Sequence, residues 1–459
     1  MTSRPWLASY GSLPTGIDPD IHPSVTALVE AAMTRYGGKT AFVSFGQRYS
    51  YTEIDAISRN FCAYLQSMGV RKGDRVGVML PNIVAFPIAL LGIMRAGAVQ
   101  VNLNPLSTPD ELQHQLKDSG SKCIVLLAEA LPMLAEVIAT TPVRHVIVAH
   151  RPSQGDALGW KPGTPDRIEG AVGFPDTLRI GSLLPRQPVE LDGDDLLFLQ
   201  YAGGTTGPSK GAALSHRNLV ANTEQLKAFL PHATRDCEEV VVTALPLYHI
   251  FGCTVNFMSY FSIGAENWLV SNPHDMDALV GTLKQARPTV FVGGNPLYVG
   301  LMQHPGLAEV DWSRLRLSGA GGAAVVADMS ERWQAITGCF IREGYGMAET
   351  SPALSVNPPS IEAFSGHAGL PLPSTDIKLL DDEGLEVPVG ESGEICAKGP
   401  QVMRGYWQQP KANAAAFTED GYFRTGDIGQ FDERGFLKVI GRKEDVGRQW
   451  VRCAAAQPA

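Results

Sequence analysis

The chain has 459 residues, which at about 150 residues a domain predicts roughly three structural units. Hydrophobic residues make up 44% and charged residues 19%, so the chain can bury a large core and is not a disordered protein. Lys and Arg number 38 against 47 Asp and Glu, which gives a net charge of −9. This acidic balance argues against a general nucleic-acid binder, because such binding needs clustered cations.

Neither the start nor the interior of the chain has the pattern of a secretory signal or a membrane span. The opening residues lack an apolar core. The most apolar stretch, residues 76–101, is interrupted by Pro81, Asn82, Pro87 and Arg95, which favours a core helix beside a strand. The cysteines are scattered and form no Cys-x-x-Cys pair, as is typical of reduced thiols in a cytoplasmic protein without a metal framework.

Strand-like and helical patterns alternate between about residues 40 and 150. Strands are predicted at Arg75–Leu80, Ala98–Leu103, Cys123–Leu127 and His145–Ala149, and helices at Ile83–Arg95 and Pro109–Asp118. This alternation is typical of a mostly parallel sheet with helices on its faces. Residues 151–190 are rich in Pro, Gly and Asp and are predicted to form a long connection.

A second alternating series follows, and the texture then changes towards the end of the chain. Strands of the second series are predicted at Val240–Thr243, Thr289–Val292 and Leu315–Ser318. From about Gly366, short strands are separated by turns, which predicts a small barrel or a distorted sheet. The expected fold class is α/β, with two mostly parallel sheets, flanking helices and a small β-barrel-like subdomain. The corresponding divisions are 1–190, 191–365, 366–440 and a hinge remnant with an aberrant tail at 441–459.

The segment Tyr201–Gly211, with the sequence YAGGTTGPSKG, is the most informative one. Its glycines let backbone N–H groups converge, and threonine hydroxyls and a lysine ammonium add donors, which suits the oxygens of a polyphosphate. It is not a Walker A loop, because Ser209 rather than Gly precedes Lys210. A Gly-rich stretch taken alone is more often a flexible hairpin or linker.

The order of further motifs decides between these interpretations. Tyr201–Gly211 resembles the phosphate loop of the adenylate-forming superfamily, which comprises acyl- and aryl-CoA synthetases, luciferases and adenylation domains of peptide synthetases. Matching motifs follow in the family's order: LPLYH at 245–249, GYGMAET at 344–350, GHAGLP at 366–371, GESGEICAKG at 390–399, VMRGYW at 402–407, YFRTGD at 422–427 and GRKED at 441–445. Within the superfamily the chain looks most like bacterial long-chain-fatty-acid–CoA ligases, while medium-chain and aryl-CoA ligases share much of the pattern.

The resemblance implies a two-step reaction that uses ATP, Mg²⁺ and CoA. A fatty-acid carboxylate attacks the α-phosphate of ATP to give acyl-AMP and pyrophosphate, and the CoA thiol then displaces AMP to give a thioester. Such chemistry needs charge neutralisation and in-line positioning more than a covalent nucleophile. The expected partners are a fatty acid, ATP and CoA without nucleic acid. A reversible peripheral contact with the inner membrane face and a homodimer are both compatible with the sequence.

The resemblance assigns the phosphate and metal contacts to two motifs. Thr205, Thr206, Gly207 and Lys210 are expected to hold the β- and γ-phosphates. Glu349, together with Thr206, is expected to ligate Mg²⁺, a hard cation that takes carboxylate and phosphate oxygens together. Lys210, Thr206 and Glu349 are therefore candidate catalytic residues. Outside these motifs, Lys210 would be read as a solvated lysine and Glu349 as a surface carboxylate near a turn.

The same resemblance assigns the rest of the nucleotide site to Gly321, Gly322, Ala323, Gly344, Tyr345, Gly346, Thr350, Asp427 and Arg442. In this set Tyr345 packs against adenine beside the small residues of the 319–323 turn, and Thr350 touches the α-phosphate. Asp427 accepts hydrogen bonds from both ribose hydroxyls, and Arg442 reaches the same sugar. An Asp that follows Thr-Gly is otherwise a common turn former.

His249 and the apolar stretch Ile250–Trp268 are open to two interpretations each. In the family the histidine lies between the acyl carboxylate and the path of the CoA thiol, which makes His249 a fourth candidate catalytic residue. A histidine among Tyr and Phe is as commonly structural. The stretch that follows could line an acyl tunnel or be a buried helix, and it offers Phe251 or Cys253 where some family members have a gating aromatic.

The end of the chain departs from the family pattern. Members of the family continue into a mobile domain of roughly a hundred residues that brings a lysine to the α-phosphate and rotates about a hinge. Here Glu444 occupies the hinge position, and residues 447–459 resemble nothing in the family. Two classes of protein are therefore expected: a fatty-acid–CoA ligase impaired by loss of that domain, or a catalytically defective nucleotide- or acyl-binding remnant.

Overall fold

The computed structural model of the chain describes residues 4–156, 158–159, 168–202 and 208–444. Three of the expected phosphate-binding residues, Thr205, Thr206 and Gly207, lie outside the described residues, as does the tail from Asp445. Lys210 and all the other expected site residues lie within them, so most of the candidate site can be located in the fold.

The described part alternates helices and strands along most of its length. Its α-helices are α1 Val25–Tyr36, α2 Tyr51–Ser67, α3 Ala85–Arg95, α4 Pro109–Ser119, α5 Leu131–Val137, α6 Phe174–Gly181, α7 His216–Phe229, α8 Met276–Ala286, α9 Asn295–Gln303, α10 Ala327–Thr337 and α11 Pro410–Ala416. The strands of the first half are β1 Thr40–Ser44, β2 Gln47–Ser50, β3 Arg75–Met79, β4 Val99–Asn102, β5 Cys123–Leu127, β6 His145–Ala149, β7 Val172–Gly173, β8 Leu196–Ala202 and β9 Lys210–Ser215. The strands of the second half are β10 Val240–Thr243, β11 Glu266–Leu269, β12 Val290–Gly293, β13 Leu317–Ala320, β14 Ile341–Gly346, β15 Ala353–Val356, β16 Leu370–Pro371, β17 Asp376–Leu380, β18 Ser392–Lys398, β19 Phe423–Phe431 and β20 Leu437–Arg442.

Two large sheets are mostly parallel. Seven strands form one sheet in the order β7-β6-β5-β3-β4-β8-β9, in which only the β8–β9 pair is antiparallel. Nine strands form the other in the order β16-β15-β14-β13-β12-β10-β11-β1-β2, with antiparallel pairs only towards its two ends. The predicted α/β class with two mostly parallel sheets is therefore confirmed.

The third sheet is antiparallel and open. Its order is β17-β18-β19-β20, and the two outer strands do not pair with each other within the described residues. Buried and partly exposed residues alternate along the whole of β19, as expected when one face of a sheet packs on a core. Of the two forms expected from residue 366 onwards, a barrel and a distorted sheet, the described strands form an open sheet.

The strand pairing does not divide the chain at residue 190. β1 and β2 come early in the sequence but form the end of the nine-stranded sheet, and β8 and β9 come after residue 190 but complete the seven-stranded sheet. The stretch expected to be a connection also contains β7 and α6. These differences arise because a local pattern predicts that a strand exists, whereas its partner strands are chosen by contacts distant in sequence.

Local sequence signals do account for several helix ends. At the start of α2, Ser50 accepts a hydrogen bond from the N–H of Glu53, and the Glu53 side chain accepts one from the Ser50 N–H in return. Thr108 and Glu111 form the same reciprocal pair at the start of α4. Gly120 directly follows α4, and its φ of +66° is a left-handed conformation that favours glycine.

The most apolar stretch is a core element. All eleven residues of α3 are buried, which confirms the prediction of a core helix beside a strand. Among the described residues, no helix combines the length and the apolar character needed to cross a membrane. The six cysteines in the described ranges form no disulfide with one another.

Acid should destabilise the fold through His216, the first residue of α7. The ring is buried and its Nδ1 accepts a hydrogen bond from the N–H of Val25 at 3.2 Å. Burial lowers its pKa to about 4, below the value of about 6.5 in an unfolded chain, so protons bind preferentially to the unfolded state. The free energy of unfolding should fall as the pH drops from about 6.5 towards 4, by about 3 kcal/mol from this group. Urea unfolding across this range should show a shallower pH dependence in His216→Gln; equal slopes would contradict the assignment.

Candidate active site

The side chains of Lys210 and Tyr406 lie close together because a short segment, Gly405–Trp407, pairs antiparallel alongside β9. The N–H of Ala213 donates to the Gly405 carbonyl at 3.0 Å, and the N–H of Trp407 donates to the Gly211 carbonyl at 2.8 Å. This pairing places the Lys210 ammonium 5.3 Å from the centre of the Tyr406 ring, within the range of a cation–π contact. Lys210 itself is exposed to solvent.

Glu349 joins the same group from a third segment. The Tyr406 hydroxyl donates to Glu349 Oε1 at 2.8 Å, and the Glu349 carbonyl accepts from the N–H of Met403 at 2.7 Å. Burial, together with the Glu349 carboxylate, raises the pKa of the Tyr406 phenol far above its usual range, so this hydroxyl remains a donor. The fold thus brings Lys210 and Glu349 together through Tyr406, a residue for which the motif VMRGYW was the only sequence signal.

The surroundings of Glu349 fit Mg²⁺. The side chain is half-buried, and within the described residues its carboxylate accepts only the hydrogen bond from Tyr406. The described part also has no cluster of three or more His, Cys, Asp or Glu that could hold a metal by itself. Mg²⁺ is typically held by one or two carboxylates together with substrate phosphates and water, so a single available carboxylate in this position suits it.

Asp427 and Arg442 face each other across β19 and β20, where they are paired in register. Arg442 Nε lies 3.1 Å from Asp427 Oδ1, and the Tyr345 hydroxyl donates to Asp427 Oδ2 at 2.7 Å. Asp427 is buried, which raises its pKa, while the two partners oppose that shift. Each carboxylate oxygen can accept a second hydrogen bond, so these contacts leave capacity for a sugar hydroxyl.

One pocket is lined both by residues expected to bind the nucleotide and by apolar side chains. It encloses about 700 Å³, including the space open to solvent. Its polar part includes Gly321, Gly322, Gly344, Tyr345 and Gly346. Its apolar part includes Leu226 of α7 and Leu230, which directly follows that helix, with Val292 and Leu317 of the nine-stranded sheet. Ala323 is exposed beside the turn and does not contribute to these walls.

His249 lies on the wall of this pocket. The N–H of Phe251 donates to its Nδ1 at 3.3 Å, which requires that nitrogen to be unprotonated. The ring is exposed to the pocket, but the surrounding protein removes it from bulk water and lowers its pKa. Both observations describe a neutral imidazole at the wall of the pocket. They leave the catalytic and structural interpretations of His249 open.

Most residues of the stretch Ile250–Trp268 are buried in the core, and two of them, Phe251 and Val255, line the pocket. The stretch folds as a helix that contains a π-helical segment, Gly252–Ser259, followed by β11. Of the two residues expected near a gating position, Phe251 lines the pocket and Cys253 is fully buried. A Cβ added at Gly321 would lie 3.2 Å from the Phe251 ring, so a larger residue there would require that ring to shift.

Thr350 and Glu444 lie away from the pocket. The Thr350 side chain is fully buried, where its oxygen accepts from the N–H of Met347 at 3.1 Å and its hydroxyl donates to the Pro352 carbonyl. The structure therefore does not bring this hydroxyl to the pocket surface, and its contact with the α-phosphate stays a prediction. Glu444 is exposed and lies two residues after the end of β20, at the end of the described residues.

Two buried side chains that the motifs did not identify hold the site loops. Asn82 donates to the carbonyls of Thr243 and Leu245 at 3.0 and 2.8 Å and accepts from the N–H of Leu247 at 2.8 Å, which fixes the LPLYH segment. Glu343 accepts from the N–H of Val325 at 3.1 Å, and burial raises its pKa to about 7. The only sequence signal for Asn82 was a polar residue inside an apolar stretch.

Comparison with known proteins identifies the family. A model of the AMP-binding enzymes matches residues 29–407. The long-chain-fatty-acid–CoA ligase of Salmonella typhimurium is 43% identical over 457 residues, which cover 96% of this chain and 81% of that protein. The 4-coumarate–CoA ligase 3 of Oryza sativa subsp. japonica is 28% identical over 425 residues, 91% of this chain and 73% of that protein. The crystal structure of a long-chain-fatty-acid–CoA ligase from Archaeoglobus fulgidus, at 26% identity, matches with a TM-score of 0.82 over 94% of this chain and 86% of that one. The chain therefore belongs to the AMP-binding enzyme family, as the order of its motifs predicted.

Proposed function

We propose that this chain is an AMP-forming acid–thiol ligase that converts a fatty acid into acyl-AMP and then into acyl-CoA. The observation on which the proposal depends is that one pocket is shared by the expected adenine residues and by apolar walls. Gly321 and Tyr345 line the same space as Leu226 and Leu230. A substrate that joins a nucleotide to an apolar chain, as acyl-AMP does, needs such a continuous site.

The relatives favour an aliphatic acid over an aromatic one. The identity is 43% to a long-chain-fatty-acid–CoA ligase and 28% to a 4-coumarate–CoA ligase. Medium-chain and aryl acids remain the alternatives. CoA-thioester formation measured across saturated acids of increasing length, with 4-coumarate in parallel, separates them: highest activity on 4-coumarate would contradict the fatty-acid assignment.

Each candidate residue has a place in this reaction. Glu349 holds Mg²⁺, which when bound neutralises phosphate charge, and Lys210 adds a positive charge on the same side. Asp427 and Arg442 bind the ribose, and the neutral His249 lies where the carboxylate and the nucleotide meet. Positioning by these groups supplies the catalysis, since no covalent nucleophile is required.

Replacement of Asp427 by Asn should weaken ATP binding by about 1–3 kcal/mol, because a hydrogen bond to a charged group is lost and the Arg442 guanidinium loses its partner. Lys210→Met should weaken it by a similar amount. Calorimetric titration with Mg·ATP measures both effects. Asp420→Asn is the matched control, because Asp420 is also paired with a lysine, Lys378, but lies on the surface. Unchanged affinity in both site variants would contradict the nucleotide assignment.

A nucleotide- or acyl-binding protein without catalysis is the other class to separate. Single-turnover formation of acyl-AMP from ATP and a fatty acid distinguishes a ligase from a binder, because a binder shows affinity without product. A cytoplasmic location, a reversible peripheral membrane contact and a homodimer are further parts of the proposal. Flotation with phospholipid vesicles and sedimentation analysis test the last two.

A further inference from the structure

Arg342, a charged residue, lines the pocket whose apolar walls are proposed to hold the acyl chain. Arg342 belongs to β14 and pairs in register with Gly319 of β13, which in turn pairs with Val292 of β12. Gly319 has no side chain, so the row across these three strands leaves space between Val292 and Arg342. Leu226, Leu230 and Leu317, which line the same pocket, are aliphatic.

The Arg342 guanidinium is buried without an ionic partner. Its residue is only 8% exposed, and its N–H groups donate to the carbonyls of Asn357 and Ile361, each at 3.1 Å, and to that of Pro358. A guanidinium has five N–H donors, so two remain. Within the described residues no carboxylate lies within ion-pair distance of it, and burial lowers its pKa to about 10.

The neighbouring titratable groups neither add to this charge nor neutralise it. His232, after the end of α7, has its pKa lowered to about 4 by burial and by Arg342, Arg235 and Arg316. Its Nδ1 is buried and has no hydrogen-bond partner within the described part of the chain. The carboxylate of Glu239 is paired with Arg316 at 2.8 Å. The Arg342 side of the pocket is therefore suited to an anion.

We propose that Arg342 makes the acyl pocket selective for α,ω-dicarboxylic acids, whose second carboxylate it binds at the distal end of the chain. This inference rests on the proposed function, because it assumes that the pocket holds the acyl chain of the substrate. The methylene groups are held by the aliphatic walls, and the distal carboxylate accepts the two remaining N–H donors. A charge-assisted pair of this kind is strong in an environment from which water is excluded.

The binding test compares two ligands that differ only in the distal charge. The full chain with Mg·AMP is titrated calorimetrically with saturated dicarboxylic acids of increasing length and with the monomethyl ester of each. At the length that reaches Arg342, the diacid should bind about ten- to a hundredfold more tightly than its monoester. Shorter and longer pairs should show little difference. Wild-type protein that binds the monoesters but shows no diacid preference at any length overturns the inference.

Variants of Arg342 distinguish recognition of the distal carboxylate from a purely structural role, in which Arg342 only holds the backbone of residues 357–361. Arg342→Gln keeps N–H donors but removes the charge, so the diacid preference should disappear while monoester binding persists. Arg342→Lys keeps the charge and should retain part of the preference, although it disturbs the same carbonyl contacts. Arg75→Gln is the matched control, because Arg75 also donates to three backbone carbonyls, those of Gly73, Ser119 and Gly120, but is not among the pocket residues.

The outcomes are distinct. A diacid preference that survives in Arg342→Gln, or equal weakening of diacid and monoester in that variant, overturns the inference. Failure of every monoester and of ATP to bind to the wild-type chain contradicts the proposed function itself and this inference with it. Selective loss of the diacid preference in Arg342→Gln, with Arg75→Gln unchanged, supports it.

Discussion

Replacing Glu349 by Gln should lower the rate of acyl-AMP formation by about 10²–10³, the typical effect of losing one preorganised electrostatic group. The carboxylate accepts from the Tyr406 hydroxyl at 2.8 Å, and its remaining capacity is available to Mg²⁺. A neutral amide of nearly the same shape preserves the packing of the turn but ligates a hard cation poorly. The rate should therefore fall without a matching loss of stability.

The measurement is single-turnover acyl-AMP formation with ATP, Mg²⁺ and a fatty acid, together with urea unfolding of the same variant. Tyr406→Phe, which removes the hydroxyl donor to Glu349, should reduce the rate by a smaller factor, about tenfold. Glu362→Gln is the control, since this glutamate is exposed. A Glu349→Gln variant with an unchanged rate and an unchanged Mg²⁺ requirement would exclude Glu349 as the metal-binding carboxylate.

Replacing Gly346 by Ala should destabilise the protein by about 1–3 kcal/mol or more, the range for overpacking a filled site. A Cβ at this position would lie 1.9 Å from the carbonyl oxygen of Pro352 and 2.7 Å from its carbonyl carbon. Both atoms belong to the backbone, so the clash cannot be relieved by a change of side-chain rotamer. The strand that ends at Gly346 leads into the turn that carries Glu349, and a shift there should also weaken the binding of Mg·ATP.

Gly281→Ala provides the matched control for this substitution. Gly281 lies within α8, and a Cβ added there would have no heavy atom within 4 Å. Alanine is the better helix former, so this variant should be as stable as the wild type or more stable by up to about 1 kcal/mol. Urea unfolding and Mg·ATP titration of both variants make the comparison. If Gly346→Ala matched Gly281→Ala in both measurements, the tight packing at this turn would be disproved.

Local sequence patterns predicted much of the secondary structure. The strands Cys123–Leu127, His145–Ala149 and Val240–Thr243 are found with the predicted bounds, and α3 is the predicted core helix. Capping pairs such as Ser50 with Glu53 explain why, because a helix end depends on residues a few positions apart. The order of the motifs likewise predicted the family, since each motif is a short segment whose residues act together.

The tertiary structure alone decided how those segments combine. β8 and β9 complete the first sheet, and the last four strands form an open sheet, because strand partners are selected by contacts distant in sequence. Tyr406 reaches Glu349 from 57 positions away along the chain. Arg342 looks like an ordinary strand residue in the sequence. Its position in the wall of an apolar pocket depends on which space that face of β14 borders, and no local pattern in the sequence reports this.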